Sequence, residues 1–179
     1  MLGLVSFAAS LALAAASGFS WSDCGKPDAA LRIISWKMPA LIVNGDRYEF
    51  SAVLNVSRPV SPGANVTFTA ERQAPGGSFA PFKKCFTDMG SCSVPLCARP
   101  GLPTFNPFWH ACTGAGASAK LPPSVYTINT TTFYPGLSGM EMRGVRGDYK
   151  GQVVIMDPSG QELGCYNLAY SFNSAPSKC

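Results

Sequence analysis

The sequence is poor in the groups that carry out catalysis. It has one histidine, His110, and ten acidic residues among 179. It contains no phosphate-binding loop or dinucleotide fingerprint, and "GLSGM" at 136–140 departs from G-x-S-x-G at its last position. A nucleophilic triad needs a base beside its nucleophile, and His110 has no partner recognisable from sequence. We therefore expect no enzyme, no catalytic residue and no cofactor; a pair of distant carboxylates, as in glycosidases, is the alternative.

Charge is also scarce. Charged residues make up 13% of the sequence, and the net charge is +4 without any dense run of Lys or Arg. This balance argues against a nucleic-acid partner. It is compatible with weak, transient attraction to an anionic membrane surface.

Cysteine is abundant, but its spacing does not suit a metal or redox site. Three of the seven cysteines, Cys85, Cys92 and Cys97, fall within "KKCFTDMGSCSVPLC" at 83–97. The spacings are C-x6-C and C-x4-C, whereas structural zinc favours C-x2-4-C and redox motifs need C-x-x-C. We therefore expect no metal and interpret the cysteines as disulfide partners.

The first residues predict export. Leu2–Ala16 is an apolar run followed by small residues, and it is shorter than the ~20 residues that span a bilayer. No Lys or Arg precedes it, which is atypical. We interpret residues 1–17 as a signal peptide and 18–179 as a single domain in the secretory pathway, lysosomal or extracellular. Three glycosylation sequons, at Asn55, Asn65 and Asn129, agree with this route.

The remaining chain has the pattern of a β protein. "RYEFSAVLNV" at 47–56 and "NVTFTAER" at 65–72 alternate apolar and polar residues with a period of two. Further predicted strands are Leu31–Trp36, Phe79–Lys84, Val125–Phe133, Asp148–Asp157 and Leu163–Phe172, with a hairpin turn at Asp157–Gly160. The one helix candidate after residue 20 is a short one at Val94–Arg99. The fold class is therefore predicted as all-β, with two packed antiparallel sheets.

Three blocks centred on cysteines resemble the ganglioside GM2 activator family of the ML lipid-recognition superfamily. They are "FSWSDC" (19–24), "CFTDMGSCSVPLC" (85–97) and "GDYKGQVVIMDPSGQELGC" (147–165). Residues 98–123 match the family poorly. The resemblance implies a β-cup with an apolar lipid-binding cavity. It also implies a non-enzymatic protein that extracts or presents a glycosphingolipid, such as a ganglioside, to a soluble glycosidase such as a lysosomal β-hexosaminidase.

The resemblance also implies a disulfide framework. Cys24 would pair with Cys165, Cys85 with Cys92, and Cys97 with Cys112. The family has a further disulfide within its proline-rich loop, and this chain lacks those cysteines. Cys179 would be the odd thiol; the alternative pairs Cys112 with Cys179 and leaves Cys97 free.

Inward-facing residues of the predicted strands would line the cavity, or else form an ordinary dry core. These candidates are Phe50, Ala52, Leu54, Val56, Val66, Phe68, Val153 and Ile155. Two segments, 76–84 and 136–150, place apolar side chains beside cations, which favours docking to an anionic membrane. The predicted membrane-facing rim is Phe79, Phe82, Leu137, Met140, Met142, Arg143, Arg146 and Lys150. The alternative is that both segments are partly buried connections.

Other functions fit the same sequence. A related module could carry another lipid, such as a sterol or phospholipid, or take part in immune recognition of lipid. A more distant alternative is an immunoglobulin-like adhesion domain, although the pattern of a tryptophan between two cysteines is not apparent.

Overall fold

The computed structural model describes residues 19–39, 41–43, 47–82, 91–97, 111–114, 119–133 and 146–173. These residues form ten β-strands. The strands are β1 Ser20–Asp23, β2 Leu31–Lys37, β3 Leu41–Val43, β4 Arg47–Val56, β5 Asn65–Gln73, β6 Phe79–Pro81, β7 Cys92–Pro95, β8 Ser124–Phe133, β9 Gly147–Met156 and β10 Glu162–Asn173. The predicted signal peptide lies outside the described residues. Within them, no helix has the length and apolar character that crossing a membrane requires.

The strands form two sheets. The larger has seven strands in the order β1-β10-β9-β5-β6, with β3 beside β10 and β7 beside β5. The smaller has three strands in the order β2-β4-β8. All pairings are antiparallel except that of β3 with β10, which is parallel. The predicted all-β class with two antiparallel sheets is confirmed.

The hairpin between β9 and β10 turns where the sequence predicts. The Asp157 amide donates to the Gln161 carbonyl at 2.9 Å, and the Gly160 amide donates to the Asp157 carbonyl at 3.0 Å. Gly160 has a φ of 84°, which a residue with a side chain adopts only under strain. Asp157 Oδ1 accepts hydrogen bonds from the Ser159 hydroxyl and amide and from the Gln161 amide. These bonds, led by the Ser159 hydroxyl, lower the pKa of the Asp157 carboxyl.

Some local predictions differ from the structure. The helix proposed at Val94–Arg99 is wrong, because residues 92–95 form β7 and pair with β5. The strand predicted at 79–84 is shorter, since β6 ends at Pro81; Lys83 and Lys84 lie outside the described residues. Three strands, β1, β3 and β7, were not predicted, and each has only three or four residues.

The main core lies between the two sheets, and we call it the intersheet layer. It consists of inward side chains of β2, β4 and β8 packed against those of β5, β9 and β10. Leu54, Val66 and Ile155 have no exposed surface. A second, smaller cluster contains Ile42, Ala70, Tyr149 and Phe172. Burial of this apolar surface is the principal force that holds the sheets together.

Candidate functional site

The structure places the eight predicted cavity residues in the intersheet layer. Seven of them are buried in one apolar cluster: Phe50, Ala52, Leu54 and Val56 of β4, Val66 of β5, and Val153 and Ile155 of β9. The eighth, Phe68, is partly buried and packs against this cluster. The residues are therefore together, facing each other from both sheets. Their role in lining a lipid site stays a prediction.

An aromatic cluster occupies one part of the layer. Its members are Phe19, Trp21, Trp36, Phe50 and Tyr166, which come from both sheets. The Trp36 ring lies 5.6 Å from Phe19, 6.0 Å from Phe50 and 6.4 Å from Tyr166, measured between centroids. The Trp21 ring lies 6.5 Å from Tyr166. Tilted and edge-on rings at these distances add to the stability that burial supplies.

Of the aromatic cluster, only Phe50 is among the residues that the sequence predicts to line the cavity. A β-bulge in β2 explains why Trp36 is not among them. The register of β2 against β4 shifts between Ile33 and Ser35. The inward residues of β2 are consequently Ile33 and Trp36, three apart, whereas strict alternation would point Trp36 outward. The only sign in the sequence that Trp36 is buried is its position as a single tryptophan near the end of a predicted strand rich in apolar residues.

Two polar groups lie within this apolar surrounding. The buried Tyr166 hydroxyl donates to the Leu31 carbonyl at 2.7 Å, which joins β10 of the larger sheet to β2 of the smaller. Burial raises the pKa of Tyr166, because the phenolate would lose its hydration, and the negative charge of Asp23 raises it further. Trp36 is 7% exposed, and its indole N–H has no hydrogen-bond partner among the described residues.

The cluster reaches the surface at β1, an edge strand of the larger sheet. Phe19 and Trp21 are both half-buried, as is Leu168, the β10 residue paired with Trp21. The aromatic cluster is therefore partly exposed to solvent along this edge.

Two disulfides are described, and both are pairs that the resemblance implies. Cys24 is bonded to Cys165 with a Cα–Cα distance of 4.9 Å, and Cys97 to Cys112 with 5.7 Å. The alternative pairing of Cys112 with Cys179 is therefore wrong. Cys92 is also disulfide-bonded. Its implied partner, Cys85, and the implied odd thiol, Cys179, lie outside the described residues.

Four residues of the predicted membrane-facing rim lie among the described residues. Phe79 is half-buried and has the Lys150 ammonium 4.4 Å above its ring. Phe82 packs edge-on against Tyr149 at 5.6 Å. Arg146 and Lys150 are exposed, but Lys150 belongs to β9 rather than to a loop.

The other rim candidates, Leu137, Met140, Met142 and Arg143, lie outside the described residues, as does His110. The rim therefore stays a prediction. Among the residues that the structure describes, no group of three or more His, Cys, Asp or Glu side chains is placed to hold a metal ion.

The sequon asparagines differ in exposure. Asn65 on β5 and Asn129 on β8 are exposed, whereas Asn55 on β4 is half-buried. Glycosylation at all three stays a prediction.

No protein-family model matches the chain, and no curated protein matches it. Solved structures align with it only loosely. A Niemann-Pick type C2 protein from the Japanese carpenter ant aligns at 11% identity and a TM-score of 0.47, over 86% of this chain and 99% of that one. Chicken MD-1 complexed with lipid IVa aligns at 14% and 0.41, over 86% and 88%. A DNA glycosylase of Pseudomonas fluorescens aligns at 14% and 0.40, over 81% and 31%. These alignments are too loose to transfer a ligand or an activity.

Proposed function

We propose that the protein is a non-enzymatic lipid-binding protein that holds lipid tails in its intersheet layer. The observation that carries this proposal is the aromatic cluster, which extends from the half-exposed β1 edge to the buried ring of Trp36. An apolar layer that reaches the surface offers tails a path from water into the core. Each methylene group transferred along it contributes about 0.8 kcal/mol.

The way in which the sheets are joined supports the same proposal. Cys24 follows β1 and Cys165 lies in β10, so this disulfide stays within the larger sheet. Cys97 follows β7 of that sheet, and its partner Cys112 lies in no described strand. Neither of the described disulfides thus links the two sheets. Apolar packing, the hydrogen bond from Tyr166 to Leu31 and the ion pair between Arg32 of β2 and Asp23 of β1 hold them. Of these, packing can be exchanged for contacts with a lipid.

The finer proposal is presentation of a glycosphingolipid, such as a ganglioside, to a soluble glycosidase of the β-hexosaminidase type. It rests on the three cysteine-centred blocks that resemble the ganglioside activator family. A glycosidase in water does not reach a sugar held at a bilayer surface, so a carrier that lifts the lipid would make the bond accessible. Disulfides suit a protein of the secretory pathway, where a lysosomal or extracellular carrier would work.

A vesicle assay tests both levels of this proposal. The protein is incubated with vesicles that contain ganglioside, separated from them, and examined by native mass spectrometry. We expect a one-to-one lipid adduct, and we expect added β-hexosaminidase to cleave ganglioside faster in the presence of the protein. A bound lipid without faster cleavage would disprove only the presentation step. Folded protein that takes up no ganglioside, sterol or phospholipid would disprove lipid binding itself.

Trp21 provides a variant with a matched control. Trp21→Ala should remove much of the apolar entry at β1 and reduce lipid uptake several-fold. Val125 is 60% exposed and lies on the smaller sheet outside the intersheet layer. Val125→Ala should therefore leave uptake unchanged, and equal losses in the two variants would contradict the proposed entry.

A further inference from the structure

A groove of about 820 Å³ crosses the larger sheet on the face away from the core. It extends over β1, β10, β9, β5 and β6. Its exposed side chains, such as Thr69 and Glu71, alternate along β5 with Ala70, which faces the core. This outer groove lies on the other face of the larger sheet from the intersheet layer, and the two meet at the β1 edge, where Trp21 and Leu168 also line the groove.

The groove has the chemistry of a site for a neutral, hydroxyl-rich molecule. One row across the strands consists of Ser22, Asn167, Gln152 and Thr69, which are all uncharged hydrogen-bonding side chains. Gln152 Nε2 donates to Asn167 Oδ1 at 3.3 Å. Amide groups offer both donors and acceptors, so this pair keeps capacity for further hydrogen bonds.

The adjacent row carries one charge of each sign. Glu71 and Lys150 are direct cross-strand neighbours. The charges of these two residues sum to zero, and the Lys150 ammonium lies 4.4 Å from the centre of the Phe79 ring, so the lining has no net charge to favour a phosphate or a polyanion. Sugars, which are neutral and rich in hydroxyl groups, fit such a lining.

A sequon lies on the same face, within reach of the groove. Along β5, Asn65, Thr67 and Thr69 alternate with inward residues, so all three point outward. Asn65 is exposed and four residues from Thr69, which corresponds to about 13 Å along a strand. The β9 partners along this route are Met156 and Val154, both half-buried on the outer face. Their apolar surfaces suit the C–H faces of sugar rings.

The Asn65 side chain is compatible with attachment of a glycan. Its Nδ2 donates to the Gly63 carbonyl at 3.2 Å. An N-linked asparagine keeps one hydrogen on this nitrogen, so the bond can persist after glycosylation. It would then hold the first sugar at a fixed starting point on the sheet.

We propose that the outer groove binds the sugars of an N-linked glycan carried by Asn65 of the same chain. A shallow groove that offers only a few hydrogen bonds would bind a free sugar weakly. A tethered glycan has an effective concentration in the millimolar range, which compensates for weak affinity. The glycan would cover the polar face of the larger sheet.

The rate of enzymatic glycan release from the native protein tests this proposal. The protein is produced in cells that glycosylate, and glycopeptide mass spectrometry measures occupancy at Asn65 and its loss with time under an amidase that removes N-glycans. A glycan bound in the groove is protected. We therefore expect Gln152→Ala combined with Asn167→Ala to speed release at Asn65 by about threefold to tenfold, the factor that one hydrogen bond supplies.

The controls separate binding from unfolding. Thermal melting shows whether the double variant is folded; if it is not, Asn167→Asp alone, which keeps the side-chain shape but removes the donor, takes its place. Release from denatured protein should be equally fast for all variants. An unoccupied Asn65, or equal release from the native protein and the folded groove variant, would overturn the proposal.

Discussion

At the residue scale, Tyr166 links the two sheets. Its ring is part of the aromatic cluster, and its hydroxyl forms a buried hydrogen bond between the two sheets. Gly164 makes room for this contact, since a Cβ there would lie 3.0 Å from the Leu31 carbonyl oxygen and 3.1 Å from the Tyr166 hydroxyl. Tyr166 therefore combines apolar packing with one polar tie across the layer.

Removing that hydroxyl should destabilise the fold. Tyr166→Phe keeps the ring but leaves the buried carbonyl of Leu31 without this donor. We expect the free energy of unfolding to fall by about 1–3 kcal/mol, the cost of an unsatisfied buried acceptor. Urea unfolding followed by tryptophan fluorescence measures it. Tyr126→Phe is the control, because the Tyr126 hydroxyl bonds Pro122 of its own segment and joins no sheets; an equal loss there would contradict the special role of Tyr166.

The raised pKa of Tyr166 predicts sensitivity to alkali. Because its folded pKa lies above the value of about 10 in the unfolded chain, folding favours the neutral phenol. The associated stability is complete below pH 10 and is lost as the pH rises above it. We expect the urea midpoint of unfolding to fall less steeply for Tyr166→Phe than for the native chain as the pH rises from 9 to about 11. Parallel slopes for the two proteins would contradict this assignment.

At the element scale, the β9–β10 hairpin depends on one side chain. Asp157 Oδ1 accepts three hydrogen bonds within the turn, and its lowered pKa means that the charged form is favoured in the fold. This stability is present above the unfolded carboxyl pKa and is lost as the pH falls through the folded value.

Asp157→Ala should therefore lower the melting temperature at pH 7. It should also make the melting temperature fall less as the pH is lowered into the acid range. Asp157→Asn is the matched variant, because it keeps an acceptor oxygen but not the charge. We expect it to melt between the native chain and the alanine variant. Melting curves from pH 2 to 7 check this, and an alanine variant with the native acid profile would show that the turn does not depend on the carboxylate.

Elements with a full alternating pattern were predictable from sequence, and short or irregular ones were not. The strands β4, β5, β9 and β10 have at least nine residues each, enough to show a period of two. The strands β1, β3 and β7 are too short to display a period. In β2, the bulge after Ile33 turns the Trp36 side chain to the inner face of the sheet. The local sequence has no pattern that predicts this bulge.

At the scale of the whole molecule, one part of the candidate site can be predicted from the sequence and another part cannot. The eight cavity candidates follow from alternation within single strands. The aromatic cluster does not, because its members come from segments as distant as Trp21 and Tyr166, which the pairing of β1 with β10 brings together. The proposed lipid site is thus a property of sheet packing, and the sequence specifies it only through the fold.

The position of lipid tails beside the aromatic cluster is the central claim, and fluorescence quenching tests it most directly. Two of the three tryptophans, Trp21 and Trp36, lie in the cluster, and the third is Trp109. Lipids that carry a bromine quencher on the tail should quench the native protein strongly. Lipids brominated on the head group should not.

The variant with Trp21→Phe and Trp36→Phe keeps apolar rings at both positions and retains Trp109 as its fluorophore. Our account predicts that this variant still takes up lipid and loses most of the quenching by tail-labelled lipid. No quenching of the native protein by tail-labelled lipid, or equal quenching of the native protein and the double variant, would contradict the account.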